Sequence, residues 1–241
     1  MHSRAVIRIV RGRLAWYPPS ASGEPEWLDS DAARDSLRAA LAQQRTAPCF
    51  AAPGADVRLL RVPFSAEEKK HIGKSLPFML EEQVTEEIEH LHFASVALDK
   101  LELAVAVCSR ERMVAWQAQL AEFPGVRQWL PEPLLLPWQE GEWCIVLEGD
   151  DAIVRFDQCG GFSVERELLP VMLAGLAVEQ PQPQTVIFYG EQQAEDLAML
   201  PQDLQPKVQW RRGNLYSALM LGEEPHPQLN LLQGEFTTRL P

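Results

Sequence analysis

The order of elements in the second half of the chain narrows the possible folds more than any other feature. Three runs rich in β-branched and aromatic residues, "WCIVLEG", "DAIVRF" and "GFSVERE", follow one another across short turns and read as an antiparallel meander. The apolar helix "LPVMLAGLAVE" comes next, "PQPQ" breaks the chain, and the strand "TVIFYG" is followed by helix "EQQAEDLAML", strand "KVQWRR" and helix "NLYSALML". A meander followed by crossovers requires a mixed sheet with helices on its faces, the layout of a ribonuclease-H-like lobe.

The first half starts the same way. "RAVIRIVRGRLAWY" reads as two strands about Arg11-Gly12, a Pro/Ser/Gly-rich loop "PPSASGEPE" follows, and Ser30 caps a helix with an apolar stripe at Ala33, Leu37, Ala40 and Leu41. Strands "APCFAAP" and "DVRLLRVPF" then lead to Pro63, where the series is interrupted. Beyond it, Ser65 and Glu68 have capping-box spacing, and Pro77 is expected to kink or end the helix they start. "HLHFASVAL" and "LELAVAVC" flank Asp99-Lys100 as a two-residue hairpin, and a helix from Ser109 turns Met113, Trp116, Leu120 and Phe123 inward before Pro124-Gly125. Two such lobes with an insertion in the first make an α/β (mixed α+β), actin-like plan. The expected parts are 1–63 plus 109–138 as the first ribonuclease-H-like lobe, 64–108 as a small inserted α+β subdomain, 139–225 as the second lobe, and 226–241 as a tail.

Charge and cysteine usage exclude several functions. A net charge of −12, from 22 basic and 34 acidic residues, opposes binding to nucleic acid or to anionic lipid. Cys49, Cys108, Cys144 and Cys159 are far apart with no Cys-x-x-Cys pair, so buried thiols in a reducing compartment are expected, not a disulfide framework or zinc site. The N-terminus "MHSRAVIRIVRG" lacks signal-peptide character, and no run reaches the roughly 18 apolar residues a membrane helix needs, so the chain as given is expected to be soluble.

Four stretches are similar to one known family. "VPFSAEEKKHIGKSLPFMLEEQVTEEIEHLHFA", "LPEPLLLPW", "LEGDDAIVRFDQCGGFSVERELL" and the tail "LNLLQGEF" resemble the cytoplasmic domain of the type II secretion system L protein, a bacterial inner-membrane platform component. "LPFMLEEQ" with "HLHFA" is the most specific part. The resemblance implies an actin-like domain that recruits the N-terminal domain of the secretion ATPase, works with other platform subunits as a homodimer, and precedes one transmembrane helix and a periplasmic domain. That helix is expected soon after Pro241, with Arg239 on its cytoplasmic side.

An actin-like enzyme holds nucleotide phosphates with two Asp-x-Gly hairpins and a later Gly-Gly. Here the first hairpin reads "IVRGRL" without an aspartate, the second reads "VLEGDD" with Leu147 in its place, and the glycine pair is reduced to Gly190-Glu191. The acid that would organise a cation beside polyphosphate is missing, so a scaffold without cofactor or metal is expected. The alternatives are an actin-like ATPase with unusual ligands and a sensor of nucleotides or small molecules in the interlobe cleft. His90 and His92 share a face if their segment is a strand, but no further metal ligand accompanies them. The acidic run from Glu81 to Glu89 is either a solvated edge or a partner surface. The family resemblance favours the second, with Phe78, Met79 and Leu80 as its apolar part, Glu81, Glu82, Glu86 and Glu87 as its rim, and His92 beside them.

Overall fold

The computed structural model describes residues 5–18, 24–43, 48–65, 67–68, 71–191, 193–221 and 227–237. The loop expected over 18–26 falls partly outside these, and Arg239 falls wholly outside them.

The first lobe opens with β1 (Val6–Val10) and β2 (Arg13–Tyr17), joined through Arg11 and Gly12, both at positive φ (50° and 76°). Such a turn matches the twist of the strands it joins. A two-residue β3 (Glu26–Trp27), too short to show a periodic pattern, completes the meander on β2. Helix α1 (Asp31–Ala42) starts where predicted, with Ser30 Oγ accepting from the Ala33 N–H at 3.2 Å. β4 (Cys49–Ala52) then lies parallel to β1.

The insertion consists of β5 (Arg58–Pro63), α2 (Ile72–Leu80), β6 (Leu91–Ala97) and β7 (Glu102–Ser109), its sheet ordered β5-β7-β6. β5, expected at the end of the first lobe, is paired antiparallel with β7 in this separate sheet. The reason lies in β7. Leu103, Val105 and Val107 face the α2 side, while Ala104, Ala106 and Cys108 face the first-lobe core, so this strand is central and needs a neighbour on each edge.

Three local expectations change. The hairpin loop is longer than the two-residue turn read at Asp99-Lys100, because Asp99 Oδ1 accepts from the N–H groups of Leu101 (2.7 Å) and Glu102 (2.9 Å) and holds an open loop between Ala97 and Leu103. Pro77 lies inside α2 without ending it. The bond it forgoes is to the carbonyl of Gly73, an exposed residue that water can reach, and Leu76 and Leu80 anchor the helix from its other side. The reciprocal Ser65/Glu68 bonds are present, at 2.6 and 3.3 Å, but they do not start α2, which begins at Ile72 behind His71 with no side-chain cap.

Helix α3 (Arg110–Gln119), capped by Ser109, leads into β8 (Gln128–Pro131), which lies parallel to β4 and closes the first sheet as β3-β2-β1-β4-β8. The second lobe repeats this order. β9 (Glu142–Glu148), β10 (Asp151–Asp157) and β11 (Gly160–Glu165) form the meander; then come α4 (Leu169–Glu179), β12 (Thr185–Tyr189), α5 (Ala194–Ala198), β13 (Val208–Arg211) and α6 (Leu215–Leu221). Its sheet runs β11-β10-β9-β12-β13, so two mixed sheets of one topology carry the actin-like plan.

Strand alternation gives each sheet two apolar faces. Ile7, Trp16, Phe50 and Trp129 pack outward with Leu37, Met113 and Trp116, while Trp143, Ile145, Val154 and Phe188 pack beneath α4. The inner faces, with Val6, Tyr17, Cys49, Val146, Ile153 and Ile187, share a third core with Leu215 and Leu219 of α6. The tail also lies inside the fold: Leu229, Leu231 and Phe236 are buried in the first-lobe core. The Leu231 N–H donates to the carbonyl of Trp129 at 2.8 Å, and the Gln233 side chain bonds both backbone groups of Ser95.

Candidate functional site

Two places are candidates for function in this fold: the boundary between the lobes, where an actin-like enzyme would hold nucleotide, and the outer surface of the insertion. At the boundary, alternation along β1 puts Arg8 on the same face as Val6, toward the second lobe. Its guanidinium bonds Glu132 (Nε to Oε1, 2.6 Å), Glu148 at the end of β9 (2.8 Å) and the Tyr17 hydroxyl (3.0 Å). Glu132 Oε2 in turn accepts from the Gly54 N–H at 3.3 Å and the Ser163 hydroxyl at 3.1 Å. Burial opposes the charge on Arg8, but Glu132 and then Glu148 outweigh it and hold the group protonated well above its ordinary range. A second buried arginine, Arg155, donates to the carbonyls of Leu134, Leu136 and Gln158 at 2.6–2.9 Å. With burial uncompensated by a close carboxylate, its pKa falls to about 10. Both arginines therefore join residues distant in sequence.

The cysteines are all buried, and burial pushes the thiols of Cys108 and Cys144 up to about 12 and Cys159 to about 11. Thiols so protonated are poor nucleophiles. Among the described residues no three His, Cys, Asp or Glu side chains gather where they could hold one metal ion.

On the insertion, the residues singled out from sequence separate into two groups. Leu76 and Leu80, four apart, share the α2 face that packs on Leu103, Val105 and Val107, and Leu80 is 0% exposed. Phe78, two residues away, points to the other side and is 68% exposed. Met79 is half-buried against the same core, while Glu81, Glu82, Glu86 and Glu87 are all exposed. The segment is tied back to β5 by Arg58, whose guanidinium donates to the Gln83 carbonyl. Surface and rim thus contain Phe78 and four glutamates, while Leu80 belongs to the core.

His92 is also internal. A 3-10 turn over Ile88–His90 precedes β6, so His90 is exposed near Glu87, while His92 lies buried on the strand and donates through Nε2 to the Leu231 carbonyl at 2.7 Å. The Phe236 ring stands edge-on, 4.9 Å from it. The shared face expected for the two histidines is absent because the strand starts after His90. Sequence reasoning missed the Arg8 cluster and the docked tail. The signal for the first was an arginine at an apolar-face position of a strand, and for the second the Leu229/Leu231 alternation.

The sequence profile of the family described as type II secretion system protein L matches residues 20–239. Type II secretion system protein L of Klebsiella pneumoniae is 32% identical over 190 residues, covering 76% of this chain and 47% of that protein. Its counterpart in Dickeya chrysanthemi is 26% identical over 198 residues, 78% of this chain and 49% of that protein. The chain thus spans about half the length of these relatives. Among solved structures, the cytoplasmic domain of EpsL, an inner membrane component of the type II secretion system of Vibrio cholerae, superposes with a TM-score of 0.72 at 18% identity, covering 98% of this chain and 100% of that one. The PilM-PilN type IV pilus biogenesis complex gives 0.52 at 12% identity over 90% of each chain. Both bear out the fold. No helix among the described residues is long and apolar enough to cross a membrane.

Proposed function

The chain belongs to the type II secretion system protein L family, and from that premise we propose that it is a non-catalytic scaffold that recruits the secretion ATPase to the bacterial inner membrane. The N-terminal domain of that ATPase docks on the insertion, with Phe78 as its apolar anchor and Glu81, Glu82, Glu86 and Glu87 as a rim that steers a basic surface. The chain then sits on the cytoplasmic side, as a homodimer among other platform subunits, held by a transmembrane helix beyond Pro241. The observation that carries this reading is the solvated ring of Phe78 beside exposed carboxylates, on a helix whose opposite face is fixed in its own core. The reading as a scaffold is supported by Arg8 and Glu148, which pair across the lobe boundary, and by the missing hairpin acids.

Biolayer interferometry with the ATPase N-terminal domain tests the interface. Glu86→Lys with Glu87→Lys should slow association and flatten its dependence on salt, while Phe78→Ala should accelerate dissociation. Folded variants that bind with unchanged rates at low salt would place the interface elsewhere. Calorimetry with millimolar Mg-ATP should show no saturable heat; a stoichiometric isotherm would return the chain to the actin-like ATPases.

A further inference from the structure

We propose that the outer face of α4 and the groove beside it form a second docking site, for an amphipathic helix of a partner protein with basic residues flanking its apolar stripe. This goes beyond the ATPase surface and uses none of its residues. Leu168 to Val178 is eleven residues without a charge. One side, with Leu169, Leu173 and Leu176, is buried on the second-lobe sheet. The other side is also apolar and in solvent: Val171 is 66% exposed and Val178 87%, with Leu168 and Met172 beside them. A helix apolar all round belongs in an interior, so a bare second face marks a missing neighbour. Space above Gly175 is open, with no atom within 4 Å of an added Cβ, so a second backbone can come close there. The face continues into a groove of about 690 Å³ between α4 and β5, whose apolar wall is Leu59, Leu60, Phe162, Val171 and Met172 and whose rim includes Arg58 and Arg61. A helix laid into it would find apolar walls on two sides.

Charge and area select the occupant. Glu165, Glu167 and Glu179 flank the strip, are exposed, and make no ion pair among the described residues. Of the nearby cations, Arg166 pairs with Asp196 at 2.5 Å and Arg61 with Glu102 and Asp157, while Arg58 is turned to the Gln83 carbonyl and keeps its charge, so among the described residues three unpaired glutamates face one unpaired arginine. Acidic flanks call for basic ones opposite. A second copy fits poorly: the strip measures about 16 Å by 10 Å, far below the roughly 800 Å² each partner of a stable pair contributes. Two-fold pairing would also set glutamates against glutamates. Anionic bilayers are disfavoured by the same acids and by the net charge of −12.

Fluorescence anisotropy tests the site with three synthetic 18-residue peptides. One has leucines at i, i+3, i+4 and i+7 between lysine flanks, one is its glutamate-flanked twin, and one keeps the lysines but scatters the leucines. The first should bind the whole chain at least tenfold more tightly than either control. Val171→Glu with Val178→Glu should cost at least tenfold in that affinity, whereas Glu86→Lys with Glu87→Lys should leave it unchanged, separating this site from the ATPase surface. Both valines are solvated, so the double variant should melt within a few degrees of the parent. Equal binding of the scattered peptide, or undiminished binding by the valine variant, would overturn the proposal. So would a dimer in sedimentation, or flotation with phosphatidylglycerol vesicles, that the valine variant abolishes, since the face would then belong to a second copy or to the membrane.

Discussion

Arg8 and His92 show how single buried polar residues hold distant segments in place. Arg8 lies on the first strand yet pairs with Glu132, beyond the insertion, and with Glu148 of the second lobe. Glu148 keeps partial contact with water, but Glu132 is buried and loses its countercharge if the arginine is removed. Arg8→Met should therefore destabilise the chain by about 3–5 kcal/mol in urea unfolding. Adding Glu132→Gln should recover part of that loss, a non-additivity of about 1 kcal/mol or more; strictly additive effects would mean that the two side chains do not act as a pair. His92 gives a pH dependence. Burial, more than any neighbour, lowers its folded pKa below the unfolded value of about 6.5. The neutral ring already donates through Nε2, so protonation adds a buried charge without adding a bond to Leu231. Its contribution is fully present above the unfolded pKa and is lost as pH falls through the folded one. Melting temperatures measured from pH 7.5 to 5 should fall more steeply in the parent than in His92→Gln, and parallel slopes would assign the acid sensitivity to other groups.

At the scale of elements, α2 separates stability from recognition. Leu80→Ala should cost about 2–5 kcal/mol because it opens a cavity against β7, while Phe78→Ala should stay within about 0.5 kcal/mol because the ring is in water. Chemical denaturation of both variants checks this, and a large loss for Phe78→Ala would mean that the ring is packed and not presented. The elements also show what the sequence made legible. Caps at Ser30 and Ser109 and the Ser65/Glu68 box were readable because they are local, and the meander-then-crossover order was readable because periodicity and turn residues mark each strand. Pairing was not readable in the same way: β5 joins the small sheet because of β7, some forty residues later in the chain. Exposure on α2 was equally hidden. Phe78 and Leu80 are both large and apolar, and only the position of the underlying sheet puts one outside and the other inside. Helix α4 hid its bare face for a related reason, since an uninterrupted apolar sequence looks the same whether it is covered on one side or two.

Across the whole molecule, the lobes share a core and do not merely touch. Cys49, Ala51 and Leu130 from the first sheet meet Val146, Ile187 and Tyr189 from the second, with Leu215 and Leu219 of α6 between them. The backbones are equally close where an added Cβ on Gly54 would meet Ser163 and one on Gly161 would meet Pro133. Arg61 of the insertion pairs with Asp157 of the second lobe, tying a third body to the same frame. Two domains linked by a polar hinge would open independently; lobes that bury one another's inner faces should unfold together. Leu219→Ala lies on α6 of the second lobe, so its reach is diagnostic. It should lower global stability by about 2–5 kcal/mol, and hydrogen exchange followed by mass spectrometry should show the slowest amides of β4 and of β12 losing protection by the same amount. Faster exchange confined to β9, β10 and β12, with β4 unchanged, would mean that the lobes are separate folding units and that the shared core contributes little to holding the docking surfaces in one arrangement.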